Sequence, residues 1–388
     1  MLLPVPIKGE MLKTKKFVRL VALPVAISFV AASCGSDAKP STAVSAEGAL
    51  KGVCPDTIVI QTDWFPEADH GMMYNLIGDD YKIDTEKKTV SGTLTNHDGK
   101  SAGVQIEVRT GGPAIGFNPV ETTMYTDTSI TIGYTSLDAA ATSYKNAPTL
   151  SIVAPSEKNP QIIMWDPATY PDVKTIADLG KTDAKINVFA GAAYTAVLVG
   201  QGILKADQID ESYDGSPARF IAEGGKIAQQ GFATAEPYSY KNEFKDWGKD
   251  VAYQTVHDAG FEVYTQPLGI RKAEKEKLAP CLKLFVPMVQ QSIIDYDASP
   301  TRANKMIVDA VAQFKDFWVY GDGNAANGAA QMKALGIVGN GPDKTVGNFD
   351  EARVQKAIDQ MIAVKLAPAD LKAADITTNE FIDPSIGF

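Results

Sequence analysis

Cysteine, histidine and positive charge are all scarce in this chain. Cysteine and histidine occur three times each among 388 residues, which leaves little material for a metal centre. Lysine and arginine number 37 against 47 acidic residues, so the formal net charge is −10. A nucleic-acid-binding protein needs a basic surface to displace counterions from phosphates. The composition therefore predicts no resident metal and argues against nucleic acid as a partner.

Sequence motifs of the common catalytic and cofactor sites are also missing. The chain contains no G-x-S-x-G, G-x-x-x-x-G-K-[ST], G-x-G-x-x-G, H-E-x-x-H or C-x-x-C sequence. Its histidines, His70, His97 and His257, are isolated and lack metal-ligand spacing. We therefore expect no catalytic residue and no cofactor, and a binding protein rather than an enzyme.

The first 33 residues differ from the rest of the chain. They contain five basic residues and one acidic residue, followed by an apolar run over residues 20–32 and small residues before Cys34. A basic segment, a short apolar segment and small residues are typical of a secretory signal peptide, which we assign to residues 1–33. The apolar run is shorter than the roughly 20 residues of a membrane-spanning helix.

Cys34 directly follows the small residues, an arrangement that resembles a bacterial lipoprotein signal. We expect lipidation at Cys34; the alternative is a secreted protein in which this cysteine stands by chance. Residues 34–52 are rich in serine, alanine, glycine and lysine, which predicts a flexible tether. The expected location is extracytoplasmic, lipid-anchored to the bacterial cell membrane. Met11 is an alternative start to Met1.

The two remaining cysteines are Cys54 and Cys281. Exported proteins reside in an oxidising compartment, so these cysteines are candidates for a disulfide. The alternative is two buried free thiols.

Short β-branched segments alternate with helical ones along most of the chain, and the C-terminal third is helical. This alternation predicts an α/β fold with mixed, mainly parallel sheets and a helical C-terminal region. The pattern restarts near residue 159, which predicts a second lobe. The predicted strands cover residues 57–62, 104–109, 129–134, 149–154, 161–165, 186–189 and 261–268.

The first predicted strand runs into a D-W-x-P-x-x-x-H sequence formed by Asp63, Trp64, Pro66 and His70. This sequence resembles the opening of the thiamine-precursor, nitrate, sulfonate and taurine group of substrate-binding proteins of ABC importers. Further resemblances are three stretches after predicted strands: Gly111-Gly112-Pro113, Ile132-Gly133-Tyr134 and Gly231–Tyr238.

The resemblance implies a two-lobed fold of the periplasmic-binding-protein type II class. Lobe 1 would comprise residues 53–156 plus 265–388, and lobe 2 residues 157–264. The implied function is capture of a small, flat heterocyclic ligand, thiamine-precursor-like or similar, and delivery to an ABC permease in the membrane by a monomeric protein. The cysteine-rich iron-binding motif of the thiamine-pyrimidine synthase relatives is missing, which argues against synthesis. The alternatives are an exported enzyme that uses His70 as a base on a small heterocycle, and a binder of a small anion such as a sulfonate or nitrate.

Residues after the predicted strands are the candidates for ligand contact, because ligands of open α/β sheets sit beyond the carboxyl ends of strands. In lobe 1 these candidates are Asp63, Trp64, His70, Gly111, Gly112 and Tyr134. In lobe 2 they are Gly191, Ala192, Tyr194, Glu236 and Tyr238.

Each candidate in lobe 1 also has a purely structural interpretation. Trp64 could stack on a flat ring or belong to the core, and Tyr134 could supply a second stacking wall. Asp63 could accept a hydrogen bond from the ligand or cap the following helix. His70 could bind the ligand or pack on its own helix.

The glycine-containing loops and the polar stretch of lobe 2 leave similar alternatives. Gly111 and Gly112 could let backbone N–H groups approach a ligand or could form a tight turn. Residues 191–194 precede a predicted helix, whose free N–H groups could attract an anion or carbonyl oxygen; an ordinary strand-to-helix turn is the alternative. Glu236 and Tyr238 could reach the cleft from the second lobe.

Overall fold

The structure is a computed structural model that describes residues 45–388. It contains two sheets and a set of helices that cover them. The strands of the described chain are β1 (Thr57–Gln61), β2 (Lys82–Asp84), β3 (Thr89–Thr95), β4 (Ser101–Arg109), β5 (Ile132–Tyr134), β6 (Thr149–Val153), β7 (Gln161–Trp165), β8 (Ile186–Asn187), β9 (Ile209–Asp210), β10 (Ala228–Phe232), β11 (Ala252–Thr255) and β12 (Leu268–Arg271).

The helices are short in the first two thirds of the chain and longer in the last third. The α-helices are α1 (Gly71–Asn75), α2 (Val120–Thr126), α3 (Leu137–Ser143), α4 (Ile176–Leu179), α5 (Ala193–Gly200), α6 (Ala218–Ala222), α7 (Glu236–Asn242), α8 (Lys275–Ala298), α9 (Thr301–Phe314), α10 (Asp322–Ala334), α11 (Glu351–Ala363) and α12 (Ala373–Ile376). Short 3₁₀ turns lie at Ala68–His70, Gly112–Ile115, Ala206–Gln208 and Lys272–Glu274.

The chain builds the two sheets in turn and returns to the first. The first sheet has the strand order β2-β3-β4-β1-β5-β12-β6, and the second has the order β11-β7-β10-β8-β9. The chain leaves the first sheet after β6 and re-enters it with β12, once all strands of the second sheet are complete. Two chain segments therefore cross between the sheets. The residue boundaries assigned to the two lobes stay a prediction.

The sheets are mixed, as predicted, but they are not mainly parallel. Only four of the ten strand pairings of the described chain are parallel: β1–β4, β1–β5, β8–β10 and β8–β9. Antiparallel pairs form because β2, β3 and β4 follow one another through tight connections and because β12 runs against both its neighbours. The parallel pairs are confined to the middle of the first sheet and one side of the second.

The predicted strand over residues 261–268 is wrong, because the strand there is β12 and begins only at Leu268. Phe261, Val263 and Tyr264 are each about 1% exposed, and they lie in a hydrophobic cluster with residues of the second sheet. Aromatic and β-branched side chains here fill the core instead of pairing in a sheet. A high β-propensity reflects burial as well as strand pairing, which explains the mistaken assignment.

Helix α8 forms the main cover of the first sheet. It is 24 residues long, and its side chains Leu282, Phe285 and Val289 are fully buried in the same cluster as the strands of that sheet. Cys281, in the second turn of this helix, forms a disulfide with Cys54, which precedes β1. The disulfide ties the start of the described fold to a helix more than 200 residues further along the chain.

The packed chain begins earlier than the predicted boundary at residue 53. The backbone N–H groups of Gly48 and Leu50 donate to the carbonyl oxygens of Ser101 and Ala102 at 2.8 and 2.9 Å, and the Leu50 side chain is fully buried. The apolar Leu50 side chain thus fixes the last part of the predicted tether against β4. The predicted signal peptide and Cys34 lie outside the described residues. No helix within residues 45–388 combines the length and the apolar character needed to cross a membrane.

Candidate ligand-binding site

A cavity of about 570 Å³ lies between the two sheets. Asp63 and Trp64 enter it from the end of β1, and Thr135 enters it directly after β5. Phe189 and Glu236 enter it from the other side, after β8 and β10. All four strands point their carboxyl ends at the cavity, which is the usual position of ligands in open α/β sheets.

Five of the eleven predicted ligand residues line this cavity. They are Asp63, Trp64, Gly112, Tyr134 and Glu236. Their role in ligand binding stays a proposal, but their convergence from both sheets follows from where the strands end.

Three predicted residues of the second lobe lie outside the lining for clear physical reasons. The Tyr194 side chain points into the second core, where its hydroxyl donates to Gln230 Oε1 at 3.1 Å. Tyr238 packs against helix α10 at Gly323. Gly191 is exposed and does not line the cavity, although its N–H donates at 3.0 Å to Oε1 of Glu211, which does. Ala192 is likewise absent from the lining.

His70 supports the cavity from behind instead of lining it. The imidazole is fully buried, and its Nε2 donates to Asp63 Oδ1 at 2.7 Å. The amide of Gln266 donates to both carboxylate oxygens of Asp63, at 3.1 and 3.3 Å. Asp63, with a side chain 29% exposed, is therefore oriented by two buried groups. The D-W-x-P-x-x-x-H spacing has this geometric reason: β1 ends at Gln61, the chain bends through residues 63–66, and the 3₁₀ turn brings His70 back beneath Asp63.

Gly111 and Gly112 are required by close packing. A methyl group on Gly111 would lie 2.2 Å from the Thr62 carbonyl oxygen, although Gly111 itself does not line the cavity. Gly112 has φ = +58°, and a methyl group there would lie 2.8 Å from Trp64 Cε3. The glycine pair therefore lets the β4 loop lie against the backbone and the indole ring at the end of β1.

Gly111→Ala is expected to lower the free energy of unfolding by about 1–3 kcal/mol, because the added methyl group collides with backbone that cannot yield locally. Gly339→Ala is the matched control, since a methyl group there has no neighbour within 4 Å. Urea unfolding of both variants measures the difference. Equal losses in the two variants would contradict the assigned packing role.

An aromatic cluster forms one wall of the cavity and spans the cleft. Its five members all line the cavity: Trp64, Phe117, Phe189, Tyr213 and Trp318. The Trp64 ring lies 6.1 Å from Phe117 and 5.8 Å from Phe189 between ring centroids, and Phe189 lies 4.8 Å from Tyr213. Trp64 and Phe117 belong to the side of the first sheet, whereas Phe189 and Tyr213 follow strands of the second. The aromatic cluster thus joins the two halves across the cavity.

Besides neutral polar residues such as Gln161 and Gln230, acidic side chains line the cavity. Seven carboxylates face the cavity, and they are called the acidic lining below: Asp63, Glu67, Glu121, Asp138, Glu211, Asp214 and Glu236. Burial raises the pKa of Glu121 to about 7, although the Ser136 N–H donates to its Oε1 at 2.7 Å. Burial likewise raises the pKa of Glu236 to about 7. Burial, reinforced by the charges of Asp69, Asp63 and Glu236, raises the pKa of Glu67 well above its ordinary value.

Sequence reasoning missed most of the acidic lining and four of the five members of the aromatic cluster. Glu67 lies inside the recognised D-W-x-P-x-x-x-H stretch, which was the available signal. Phe117 has a left-handed backbone with φ = +57° and is 49% exposed, both of which are unusual for a phenylalanine. Trp318 comes from the loop after α9 and reaches the cavity only through the tertiary fold. No cluster of three or more His, Cys, Asp or Glu residues suited to a metal ion occurs within residues 45–388.

Comparison with known proteins gives structural matches only. No protein-family model and no curated protein sequence matches the chain. A protein of Bordetella bronchiseptica RB50 superposes with a TM-score of 0.52 at 15% identity, covering 84% of this chain and 96% of that one. A protein of Methylobacillus flagellatus KT described as the periplasmic sulfonate-binding protein of a sulfonate ABC transporter gives 0.50 at 12% identity, with 84% and 92% covered. The alkanesulfonate-binding protein of Xanthomonas axonopodis pv. citri gives 0.49 at 15% identity, with 86% and 99% covered.

At these identities the likeness establishes the fold and nothing finer. The matched part is 84% of this chain for both the Bordetella and the Methylobacillus protein. The predicted fold class is confirmed: the chain has the two-lobed α/β fold of the periplasmic binding proteins.

Proposed function

We propose that this protein is the extracytoplasmic solute-binding component of an ABC importer. It captures a small, flat heterocyclic ligand between its two lobes and delivers it to a membrane permease. The observation that carries the proposal is the cavity of about 570 Å³ between the sheets, with aromatic walls contributed from both sides. A cavity of this size suits a small organic molecule, since such sites measure about 300–1,000 Å³.

The mechanism is closure without bond chemistry. A ligand that contacts Trp64 from one side and Phe189 from the other stabilises the closed arrangement over the open one. The shift between the two arrangements equals the difference in the ligand's affinity for them. The closed form is then the one that a permease recognises.

The two alternative functions receive less support from the cavity. An exported enzyme with His70 as its base requires an imidazole that reaches the substrate, but His70 is fully buried and its Nε2 faces Asp63. Positive charge favours a sulfonate or nitrate site, but no lysine, arginine or histidine of the described chain lines the cavity. The sulfonates named for the structural neighbours are therefore poor candidates for this cleft.

Native mass spectrometry of gently purified protein, followed by identification of any released compound, tests the proposal. We expect one small heterocycle in stoichiometric amount, recovered chemically unchanged after incubation. A converted product would support the enzyme alternative.

Trp64→Ala is expected to weaken binding of that compound about 10- to 100-fold, because loss of a stacking ring removes about 1–3 kcal/mol. Trp64→Phe retains a ring and should recover most of the affinity. Phe388→Ala is the control, since Phe388 is 51% exposed and outside the cavity. Isothermal titration calorimetry measures all three variants; unchanged affinity in Trp64→Ala would rule out the stacking role.

A further inference from the structure

Among the described residues, the acidic lining has no basic side chain beside it in the cavity wall. None of the residues around the cavity is a lysine, arginine or histidine in the described part of the chain. Several lining carboxylates accept hydrogen bonds from neutral donors only, such as Glu236 from the Phe232 N–H at 2.6 Å and Glu121 from the Ser136 N–H. Clefts lined by charge of one sign concentrate the field and attract ligands of the opposite sign.

The buried carboxyl group of Glu67, which has no partner among the described residues, is a second and independent observation. Its side chain is 3% exposed and lines the cavity, yet its carboxylate makes no hydrogen bond and no ion pair with any residue of 45–388. Asp63, Asp69 and Glu236 are near enough that their charges raise its pKa further. Buried polar groups in proteins almost always have a partner. Without one, a buried carboxyl group favours its neutral form, whereas a cationic partner favours the ionised form. The cavity is the side from which that partner can come.

The aromatic cluster adds the matching apolar surface. A cation held over the face of an aromatic ring is attracted by the ring's quadrupole, and tryptophan is the strongest such partner. Trp64 is partly exposed and lies in the cavity wall, as do Phe189 and Tyr213. Carboxylates and π-faces around one cavity are the combination that recognises organic cations.

We propose that the cleft selects an organic cation, a flat ring that bears a positively charged nitrogen, with Glu67 and Glu236 facing the charge and Trp64 facing the ring. This inference rests on the proposed binding function and specifies the class of its ligand. It differs from the sulfonates named for structural neighbours, because an organic cation has the opposite charge.

The test compares ligands of the same ring with different charge. The probes are 1-methylnicotinamide (cation), nicotinamide (neutral) and nicotinate (anion), with benzyltrimethylammonium, benzyl alcohol and benzoate as a second set. We expect thermal shift and calorimetry to detect the cations alone, with affinity that falls as NaCl is raised. Equal or tighter binding of a neutral or anionic member, or a neutral or anionic co-purified ligand, overturns the cation proposal and leaves the binding function standing. If no probe binds and no compound co-purifies, both proposals fail.

Charge-removing variants give the second readout. Glu67→Gln and Glu236→Gln should each weaken binding of 1-methylnicotinamide by at least about tenfold. Both preserve side-chain size, and Glu67→Gln should fold with an unchanged or higher Tm because the amide cannot acquire the charge that burial disfavours. Glu86→Gln is the matched control, since it removes one exposed carboxylate outside the cavity. Equal affinity for the cation in all three variants overturns the assignment of Glu67 and Glu236.

Discussion

Replacing Cys54 and Cys281 together by alanine should lower the free energy of unfolding by about 2–5 kcal/mol. The disulfide joins residues separated by 227 positions, so it closes about two thirds of the described chain into one loop. A cross-link over so long a loop restricts the unfolded chain strongly, whereas the native packing of two nearly buried side chains changes little. The corresponding fall in Tm is about 3–7 °C for a protein of this size.

Calorimetry of the double variant, and of the unaltered protein with and without reductant, measures this effect. Reduction of the unaltered protein should reproduce most of the loss, because the thiols remain in place and only the cross-link is broken. A double variant with the same Tm as the unaltered oxidised protein would contradict the structural role of the disulfide. Ligand affinity at low temperature should be unchanged, since neither cysteine lines the cavity.

The part of the site at the ends of β1 and β5 could be predicted from sequence, because one local rule determines its position. Asp63, Trp64 and Tyr134 stand at the carboxyl ends of short β-branched segments, and parallel strands bring such ends to one edge. The role of His70 could not be assigned from this rule. A histidine seven positions after an aspartate can face the ligand or the aspartate, and only the turn at Pro66 decides between them.

The acidic lining could not be recognised from sequence, because acidic residues are the ordinary solvated surface of an acidic chain. Glu121 lies in α2 and Asp138 in α3, and nothing in their neighbours distinguishes them from exposed carboxylates. Tyr194 is the opposite case, a residue that was predicted to contact the ligand but does not line the cavity. It stands at a helix start after a strand, as a ligand residue could, but the first turn of α5 faces the core of the second sheet.

The sequence predicted too many parallel strand pairs, again because a local pattern does not contain long-range contacts. The alternation of strands and helices predicts crossover connections and therefore parallel strands. A chain that leaves one sheet and later returns, however, must place its strand where the strands already in that sheet leave room. In this fold β12 enters between β5 and β6 and runs antiparallel to both. The direction of a returning strand depends on contacts between distant segments, which no local pattern contains.

Without ligand, the protein should become less stable as the pH rises from 5 to 8. Burial raises the pKa of Glu121 from its ordinary 4.5 to about 7, so the native state holds a proton that the unfolded state has lost in this range. The unfolding free energy therefore falls as the pH rises through about 7, by about 3 kcal/mol for this group alone. Glu67 and Glu236 act in the same direction, although the cleft water that reaches the partly exposed Glu236 reduces its share.

One group acts in the opposite direction and must be separated experimentally. Burial lowers the pKa of His257 to about 4, which adds stability as the pH rises from 4 to its ordinary 6.5. Urea unfolding of Glu121→Gln beside the unaltered protein isolates the carboxyl contribution, since His257 is common to both. The variant should be the more stable protein at pH 8 and should lose less stability between pH 5 and 8, whereas Glu86→Gln should follow the unaltered curve. Parallel curves for Glu121→Gln and the unaltered protein would show that Glu121 is ionised in the native state at pH 5. A bound cation should reduce the loss of unfolding free energy that the unaltered protein shows between pH 5 and 8. The reason is that the cation stabilises the ionised acidic lining that high pH creates.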